Sequence, residues 1–396
     1  MHPADQIRCA SSEKLKGRRI VLGITGSIAA VESVRLCREL IRHGAAVHVV
    51  LSKDAAKVVH PYAMEFASGN PVITEIDGGV QHVALCGDVP DRADLLLIAP
   101  TTANTISKMA CGIDDTTVTT FATTAIGAGI PVVVVPAMHG SMINHGIVTA
   151  NIRKLRESGV VVLEPKMEES KAKMPDIDRI LSAVLSRIGK GDLRGKKVLV
   201  IAGSTEEPFD DIRVITNRSS GETGIELAKA AAERSADVEL WLGRIEAPVP
   251  TYMRTRRFTS AESLGKMIRE ADEWDIVLFP AAVSDYSPER VDGKVSSQED
   301  SLSMTLRRNP KLIDEVRAKV LVGFKAGSRV KDSELVSEAV ALMERAGCSF
   351  VVANDIRDVT PGKTRVIVVE RDGSSQKVVG TKADVADEVL DRASKG

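Results

Sequence analysis

The residues able to do chemistry gather in short polar clusters, each directly behind an apolar, β-branched run. Gly26-Ser27 follows the run in residues 19–24, and Ser52 follows Ala46–Leu51. Pro100-Thr101-Thr102-Ala103-Asn104-Thr105 follows Leu95–Ala99, and Pro136-Ala137-Met138-His139 follows Val132–Val135. A Gly-Ser turn that opens a helix offers backbone N–H groups and a positive dipole end to a phosphate. Three hydroxyls and an amide within six residues can hydrogen-bond a phosphate or a flat polar ring. Each cluster also has a plainer reading, since Ser and Thr cap helices and Asn favours turns. Three polar loops at successive strand ends are more telling than any one. His82, within Gly78–Leu85, lies in a weakly helical stretch, where a lone histidine is ordinarily structural or solvated.

A second set lies further along. Gly203-Ser204-Thr205-Glu206-Glu207-Pro208-Phe209-Asp210 precedes Arg213-Val214-Ile215-Thr216-Asn217-Arg218-Ser219-Ser220-Gly221. The latter ends in Ser-Ser-Gly before an expected helix, Ile225–Arg234, so phosphate binding fits there, although Asn217 can equally be a turn residue. Pro280-Ala281-Ala282-Val283-Ser284-Asp285 follows Ile276–Phe279, and Asp285 at a strand end can hold a metal or a ribose. Lys294, Asn309-Pro310-Lys311-Leu312, Gly323-Phe324-Lys325 and Ala353-Asn354-Asp355 complete the set.

The elements that must position these residues repeat. GRRIVLGITGS at 17–27 and GKKVLVIAGS at 195–204 each run from a glycine and a basic pair through an apolar strand to a Gly-Ser turn. A helical stretch and a second apolar strand follow each, Ala46–Leu51 in one case and Val238–Leu242 in the other. Continuous apolar strands alternating with amphipathic helices predict parallel sheets covered on both faces. The expectation is an α/β chain of two doubly wound, Rossmann-like domains, 1–190 and 191–396, joined where glycines and charges cluster at Ile188–Lys196. Further strands are expected at Val160–Leu163, Val320–Phe324, Phe350–Ala353 and Val366–Val369. A helix is expected at Glu334–Ala346, with Leu335, Ala339, Leu342 and Ala346 as its buried stripe. In such sheets ligands sit beyond the carboxyl ends of the strands, at the switch point.

Composition removes several classes of function. Lys plus Arg is 53 against 54 for Asp plus Glu, so there is no global nucleic-acid footprint and no polybasic membrane signal. Aromatics are 3%, too few for base-stacking platforms. The longest apolar stretch, Ala125–Met138, is broken by Gly127, Gly129, Pro131 and Pro136, and the first residues lack the apolar core of a signal peptide. Five dispersed cysteines read as reduced thiols, so a cytoplasmic location is expected.

His82-Val83-Ala84-Leu85, Arg92-Ala93-Asp94, the Ala99–Thr105 string and Val132–Met138 resemble the flavin-containing cysteine decarboxylases, within them those acting on phosphopantothenoylcysteine. That resemblance implies a noncovalent FMN held by Gly26, Ser27, Ser52, Thr101, Thr102, Asn104, Thr105 and Met138, with His82 as the essential histidine beside it. It implies flavin oxidation of the substrate thiol, loss of CO2 from the oxidised carbon, and return of the electrons. Two positions depart from the family pattern. His139 stands where an Asn normally binds the substrate carboxylate, and so takes that role. The clamp, which normally carries a proton-donating cysteine, reads Glu168-Glu169-Ser170-Lys171-Ala172-Lys173-Met174, as in archaeal forms. Lys171 and Lys173, two apart and expected to depress each other's pKa, are the candidate donors, with His139 as rival.

Residues 202–221, AAVSDY at 281–286, Gly293-Lys294, Asn309-Pro310 and Val352–Ile356 resemble the phosphopantothenate–cysteine ligases. This implies attack of a carboxylate on a nucleoside triphosphate, normally CTP, and displacement of the acyl nucleotide by cysteine's amine. A divalent cation, Mg2+ or Mn2+, is required, with Asp285 as its ligand. Arg213 and Asn217 would handle the acyl intermediate, with Lys294 stabilising charge. Ala281, Ala282, Val283, Asp285, Lys294, Pro310, Lys311, Leu312, Ile313 and Phe324 would contact the nucleotide. Glu222, Leu342 and Ala346 stand where lysines are usual, and Lys325, Arg329 or Lys331 could compensate. Together the halves resemble the bifunctional enzymes of coenzyme A biosynthesis. The implied small molecules are 4'-phosphopantothenate, cysteine, CTP and phosphopantothenoylcysteine. The implied assembly is a homo-oligomer, with flavin-domain trimers and ligase-domain dimers. An NAD-linked two-domain dehydrogenase is the alternative, but neither Gly-Ser turn carries GxGxxG. A non-catalytic flavin-fold regulatory subunit is the other, against which stand His82 and a full ligase half.

Overall fold

The side chains of the apolar runs divide between two faces. In the strand Arg19–Ile24 (β1), Ile20, Leu22 and Ile24 enter one hydrophobic cluster while Val21 enters another. In Leu95–Thr101 (β3), Leu95, Leu97 and Ala99 join the first cluster, and Leu96 and Ile98 the second. This is the two-residue strand period of a sheet with helices on both sides. With Ala46–Leu51 (β2), Val132–Pro136 (β4) and Val161–Val162 (β5), these strands form a parallel sheet in the order β2-β1-β3-β4-β5. The computed structural model describes residues 1–296, 301–360 and 362–396. It divides into two compact units, Met1–Gly191 and Asp192–Gly396.

The second unit builds the same logic into a wider sheet. Its strands are Lys197–Ala202 (β6), Asp237–Leu242 (β7), Arg254–Arg257 (β8), Trp274–Phe279 (β9), Ala318–Gly327 (β10), Phe350–Asp355 (β11), Thr364–Glu370 (β12) and Ser375–Gly380 (β13). The order is β8-β7-β6-β9-β10-β11-β12-β13, parallel through β11 and antiparallel in the last two. Val198, Val200 and Ala202 lie in one cluster, Leu199 and Ile201 in the other. Each large aliphatic side chain buried this way contributes about 1.5–3 kcal/mol relative to exposure. Gly224 lets the helix Glu222–Glu233 sit tightly on β6, since a Cβ there would stand 2.2 Å from that of Ala202.

Several elements differ from expectation. β3 runs through Pro100 to Thr101, because its pairing with β4 slips between Ile98 and Thr101, and a bulge tolerates the missing N–H. Ser27 caps a 3-10 turn, Ile28–Glu32, before the helix Ser33–Arg42 begins. In the helix Asp332–Ala346 the buried stripe is Leu335, Ala339 and Met343, at four-residue spacing, while Leu342 and Ala346 are only partly buried. Among the described residues no helix is long and apolar enough to cross a membrane.

Candidate functional sites

At the first switch point, between β1 and β3, the loops are tied by neutral hydrogen bonds. Thr25, buried, donates its hydroxyl to the Pro100 carbonyl at 2.9 Å and accepts the Thr102 N–H at 2.9 Å. Ser33 donates to the Ala99 carbonyl at 3.0 Å. The end of β4 joins in, with the Ala137 N–H donating to the Thr101 carbonyl. The strand-end hydroxyls have the plainer role as well: Ser27, Ser52 and Thr102 accept from the backbone N–H groups of Ala29, Ala55 and Thr105. A hydroxyl that accepts still has a proton to donate outward. Thr101 is a correction. Its side chain is fully buried and donates to the Ile98 carbonyl at 2.6 Å, so it fixes the bulge instead of facing a ligand. Thr105 is buried too, and Thr102 donates to its hydroxyl at 3.2 Å, while Asn104 is exposed.

His82 sits on the short helix Gln81–Cys86, edge-on to Phe121 with ring centroids 6.4 Å apart. Its Nδ1 is buried and has no hydrogen-bond partner among the described residues. A buried ring nitrogen without a partner carries a desolvation cost that a bound ligand can relieve.

Met138–His139 pairs antiparallel with Lys171–Lys173, so that Met138 opposes Ala172 and His139 opposes Lys171. This brings His139, Lys171 and Lys173 onto one small three-stranded sheet with Lys166–Glu168. The expected mutual depression of the lysine pKa values fails for Lys173. Its ammonium donates to Glu168 at 3.1 Å and Glu169 at 3.3 Å, and these carboxylates raise its pKa. His139 Nδ1 lies 2.8 Å from the Ser141 hydroxyl and accepts the Ser141 N–H.

The second switch point, between β6 and β9, opens into a cleft of about 810 Å³. Gly203 makes the turn after β6 at φ +85, where a Cβ would stand 2.5 Å from the Arg244 carbonyl. Thr205 accepts the Ser284 N–H at 2.9 Å, and Thr216 donates to the Thr205 carbonyl at 2.7 Å. Asn217 reaches across, its Nδ2 donating to the Ala282 carbonyl at 3.1 Å. Asn217, Ala281, Ala282, Val283, Asp285, Pro310, Lys311, Leu312, Ile313 and Phe324 all line the cleft, as does Lys325. Arg329 and Lys331 do not.

Arg213 and Lys294 lie outside the residues that line this cleft. Arg213 is drawn to the buried Asp210 carboxylate, and the backbone on either side of Lys294 is held by Asp210 and Asp211. Asp210 accepts from the N–H groups of Ile212 and Arg213 at 2.8 and 2.6 Å, from Val295 N–H at 3.1 Å and from Arg213 Nη1 at 3.2 Å. Burial pushes the Asp210 pKa up, but these backbone donors outweigh it and hold it below the ordinary carboxylate range. The Gly293 N–H is fixed in turn by Asp211.

Beside Arg218, four further cations line the cleft, and each of the four stands against a carboxylate. Lys311 pairs with Asp285 at 2.5 Å, Lys325 with Glu338 at 3.3 Å, Arg345 with Asp314 at 3.1 Å, and Lys382 with Glu222. Arg345 and Lys382 were invisible to motif reading. Arg345 lies next to Ala346, where a lysine is usual, and Lys382 lies far along the chain from its partner. Asp285 is the sole carboxylate of the expected metal site, and no group of three His, Cys, Asp or Glu suited to a metal occurs among the described residues.

The two sheets, each with a polar switch point beyond its strand ends, define a two-domain α/β protein built to bind small ligands. Residues 8–189 match the family model described as Flavoprotein, and residues 193–395 match the DNA/pantothenate metabolism flavoprotein C-terminal domain. The chain is 44% identical to the Coenzyme A biosynthesis bifunctional protein CoaBC of Thermococcus kodakarensis, over 100% of this chain and 99% of that one. It is 35% identical to the protein so named in Methanocaldococcus jannaschii, over 100% and 98%. A crystal structure of the C-terminal domain of a protein of that name, 27% identical, covers 52% of this chain and 97% of its own, with a TM-score of 0.43. The chain belongs to the family of bifunctional coenzyme A biosynthesis proteins. That membership sets aside the dehydrogenase and regulatory-subunit alternatives.

Proposed function

We propose that the chain converts 4'-phosphopantothenate and cysteine to 4'-phosphopantetheine in two reactions, ligation in residues 191–396 and decarboxylation in residues 1–190. The observation that carries this reading is the cleft beyond β6 and β9, where Asn217, Asp285 and paired cations converge. Ligation through an acyl nucleotide needs positive charge where phosphate negative charge develops. Lys311, Lys325 and Arg345 are placed for that, while Asn217 offers an oriented donor. CTP is the nucleotide of this reading, and Pro310–Ile313 supplies its apolar contacts. Mg2+ needs few protein ligands when phosphates complete its shell, so Asp285 alone is compatible with it once Lys311 turns to a phosphate.

In the first half, Ser27, Ser52, Thr102, Asn104 and Met138 would hold FMN. The buried, unpartnered Nδ1 of His82 and the outward protons of the capping hydroxyls fit such a group. When bound, FMN supplies two-electron oxidation of the thiol and the return of both electrons. The chain's part is to orient the substrate and handle protons. His82 serves the thiol oxidation, His139 faces the carboxylate, and Lys171, beside His139, is the candidate proton donor. A flavin site shared between copies fits exposed Ile28 and Val31 next to the first turn, and we read the assembly as flavin-domain trimers and ligase-domain dimers. Five unpaired cysteines fit a cytoplasmic location.

The test is incubation of the full chain with 4'-phosphopantothenate, cysteine, Mg2+ and each of the four nucleoside triphosphates in turn. Mass spectrometry should find 4'-phosphopantetheine, most rapidly with CTP. Absence of both the ligated acid and its decarboxylated product with every nucleotide would overturn the reading.

A further inference from the structure

The cleft of the second unit spreads over both faces of its sheet. Leu312, Ile313 and Leu342 belong with the core on one face, together with Lys325 and Arg345. Phe324, Val352, Val366 and Val385 belong with the core on the other. Of the four paired cations, only Lys382 stands among this second group, with the hydroxyls of Thr223 and Thr364. It is also the most buried of the four, at 18% exposure against 32% for Lys311, 40% for Lys325 and 45% for Arg345.

Its position is electrostatically costly. Lys382 is the first residue of the helix Lys382–Ala393, the end at which the helix dipole disfavours a cation. Its side chain is 18% exposed, and a half-buried ion pair is weak as a source of stability. Glu222 opens the helix Glu222–Glu233 and takes one of the ammonium's three N–H donors. Lys382 shares this side of the cleft lining with Phe324, Val352 and Val366. A cation over an aliphatic and aromatic wall suits a phosphate monoester carried on a branched hydrocarbon. It suits a flat nucleobase much less.

We propose that Lys382 anchors the phosphate of the acid substrate, leaving the other face of the cleft to the nucleotide, and that Glu222 positions the Lys382 ammonium. This rests on the ligase reading above. The acid would then lie with its phosphate at Lys382 and its carboxylate toward Asn217, so the reacting end meets the nucleotide between the two faces. Lys382 is a binding residue that discriminates a phosphorylated acid from its unphosphorylated counterpart.

The experiment measures ligase kcat/KM for 4'-phosphopantothenate and for pantothenate in the full chain. Lys382→Met should lower the ratio of the two by about tenfold or more, through KM for the phosphorylated acid, as loss of one charge-assisted contact does. KM for the nucleotide should stay unchanged, as should decarboxylation of supplied phosphopantothenoylcysteine. Glu222→Gln keeps a hydrogen-bond acceptor but removes the charge that repels phosphate, so KM for the phosphorylated acid should fall while kcat holds. Lys382→Arg, which keeps the charge, should retain most of the preference and covers the case in which the Met variant does not fold. An unchanged ratio in Lys382→Met, or an effect on nucleotide KM alone, would overturn the anchor while leaving the ligase reading intact. A wild-type chain that ligates neither acid would overturn the ligase reading and the anchor with it.

Discussion

In the first unit the loops at the switch point are joined by neutral groups, Thr25 to Pro100 and Thr102, and Ser33 to Ala99. In the second, Lys311, Lys325, Arg345 and Lys382 line the cleft and each of these four stands on a carboxylate. The two arrangements suit different occupants. A cradle held by uncharged hydrogen bonds keeps its shape whether or not a ligand is present, as a resident cofactor needs. Paired charges must exchange partners when an anion arrives and recover them when it leaves, as a substrate that turns over needs.

The comparison breaks most sharply at His82. Its replacement by Asn or Ala should leave flavin bound, by absorbance, and abolish CO2 release while ligation continues at the wild-type rate. Normal decarboxylation by the variant would remove His82 from the chemistry. The mirror experiment is Asn217→Asp, which sets a carboxylate against the Ala282 carbonyl and removes the oriented donor. Ligation should fall by about 10²-fold or more, the order seen when one transition-state donor is lost, with decarboxylation of supplied substrate unaffected. Lys294→Ala tests a residue outside the cleft lining: with its neighbours Gly293 and Val295 held by Asp211 and Asp210, the loss should be smaller than for Asn217→Asp, and equal losses would put Lys294 in the chemistry.

Smaller effects sharpen the neutral side. Thr25→Val leaves the part-buried Thr102 N–H without its acceptor, while the Pro100 carbonyl keeps the Thr25 N–H, at a cost of about 1–3 kcal/mol, readable as a lower melting temperature of the first unit. In the clamp, Lys173 is held protonated by Glu168 and Glu169, so Lys173→Met should slow product formation less than Lys171→Met or His139→Asn. If the Lys171→Met, Lys173→Met double variant forms 4'-phosphopantetheine at the normal rate, the lysine donor is excluded.

The smallest effect is on pH. Asp210 has a folded pKa below its unfolded value, so the stability it gives is complete above the ordinary carboxylate range and is lost as pH falls through the lowered folded value. Hydrogen exchange at the Ile212 and Val295 amides should accelerate over that acidic window. Asp210→Asn should already show fast exchange at neutral pH.

What the sequence made legible follows from where the signal is local. The parallel strands are continuous apolar runs, and Gly-Ser turns mark their ends, so both switch points could be found by eye. Arg254–Arg257 and Ser375–Gly380 escaped because they are the edge strands of the second sheet, and the four residues of the first are all exposed. Thr25 escaped because it reads as the last residue of an apolar run. Lys382 and Arg345 escaped because their partners, Glu222 and Asp314, lie 160 and 31 residues away. The Leu342 assignment failed because a helix at 3.6 residues per turn can bury Met343 as readily.

The Thr25 bridge also bears on speed. Loops already fixed to each other need no search when a cofactor arrives, so its capture should be a single fast phase whose rate follows diffusion and orientation, with little dependence on temperature beyond that of the solvent. Cutting the bridge would insert a loop-ordering step before binding, and stopped-flow mixing of the apoprotein with flavin would then record a rate that levels off as flavin concentration rises.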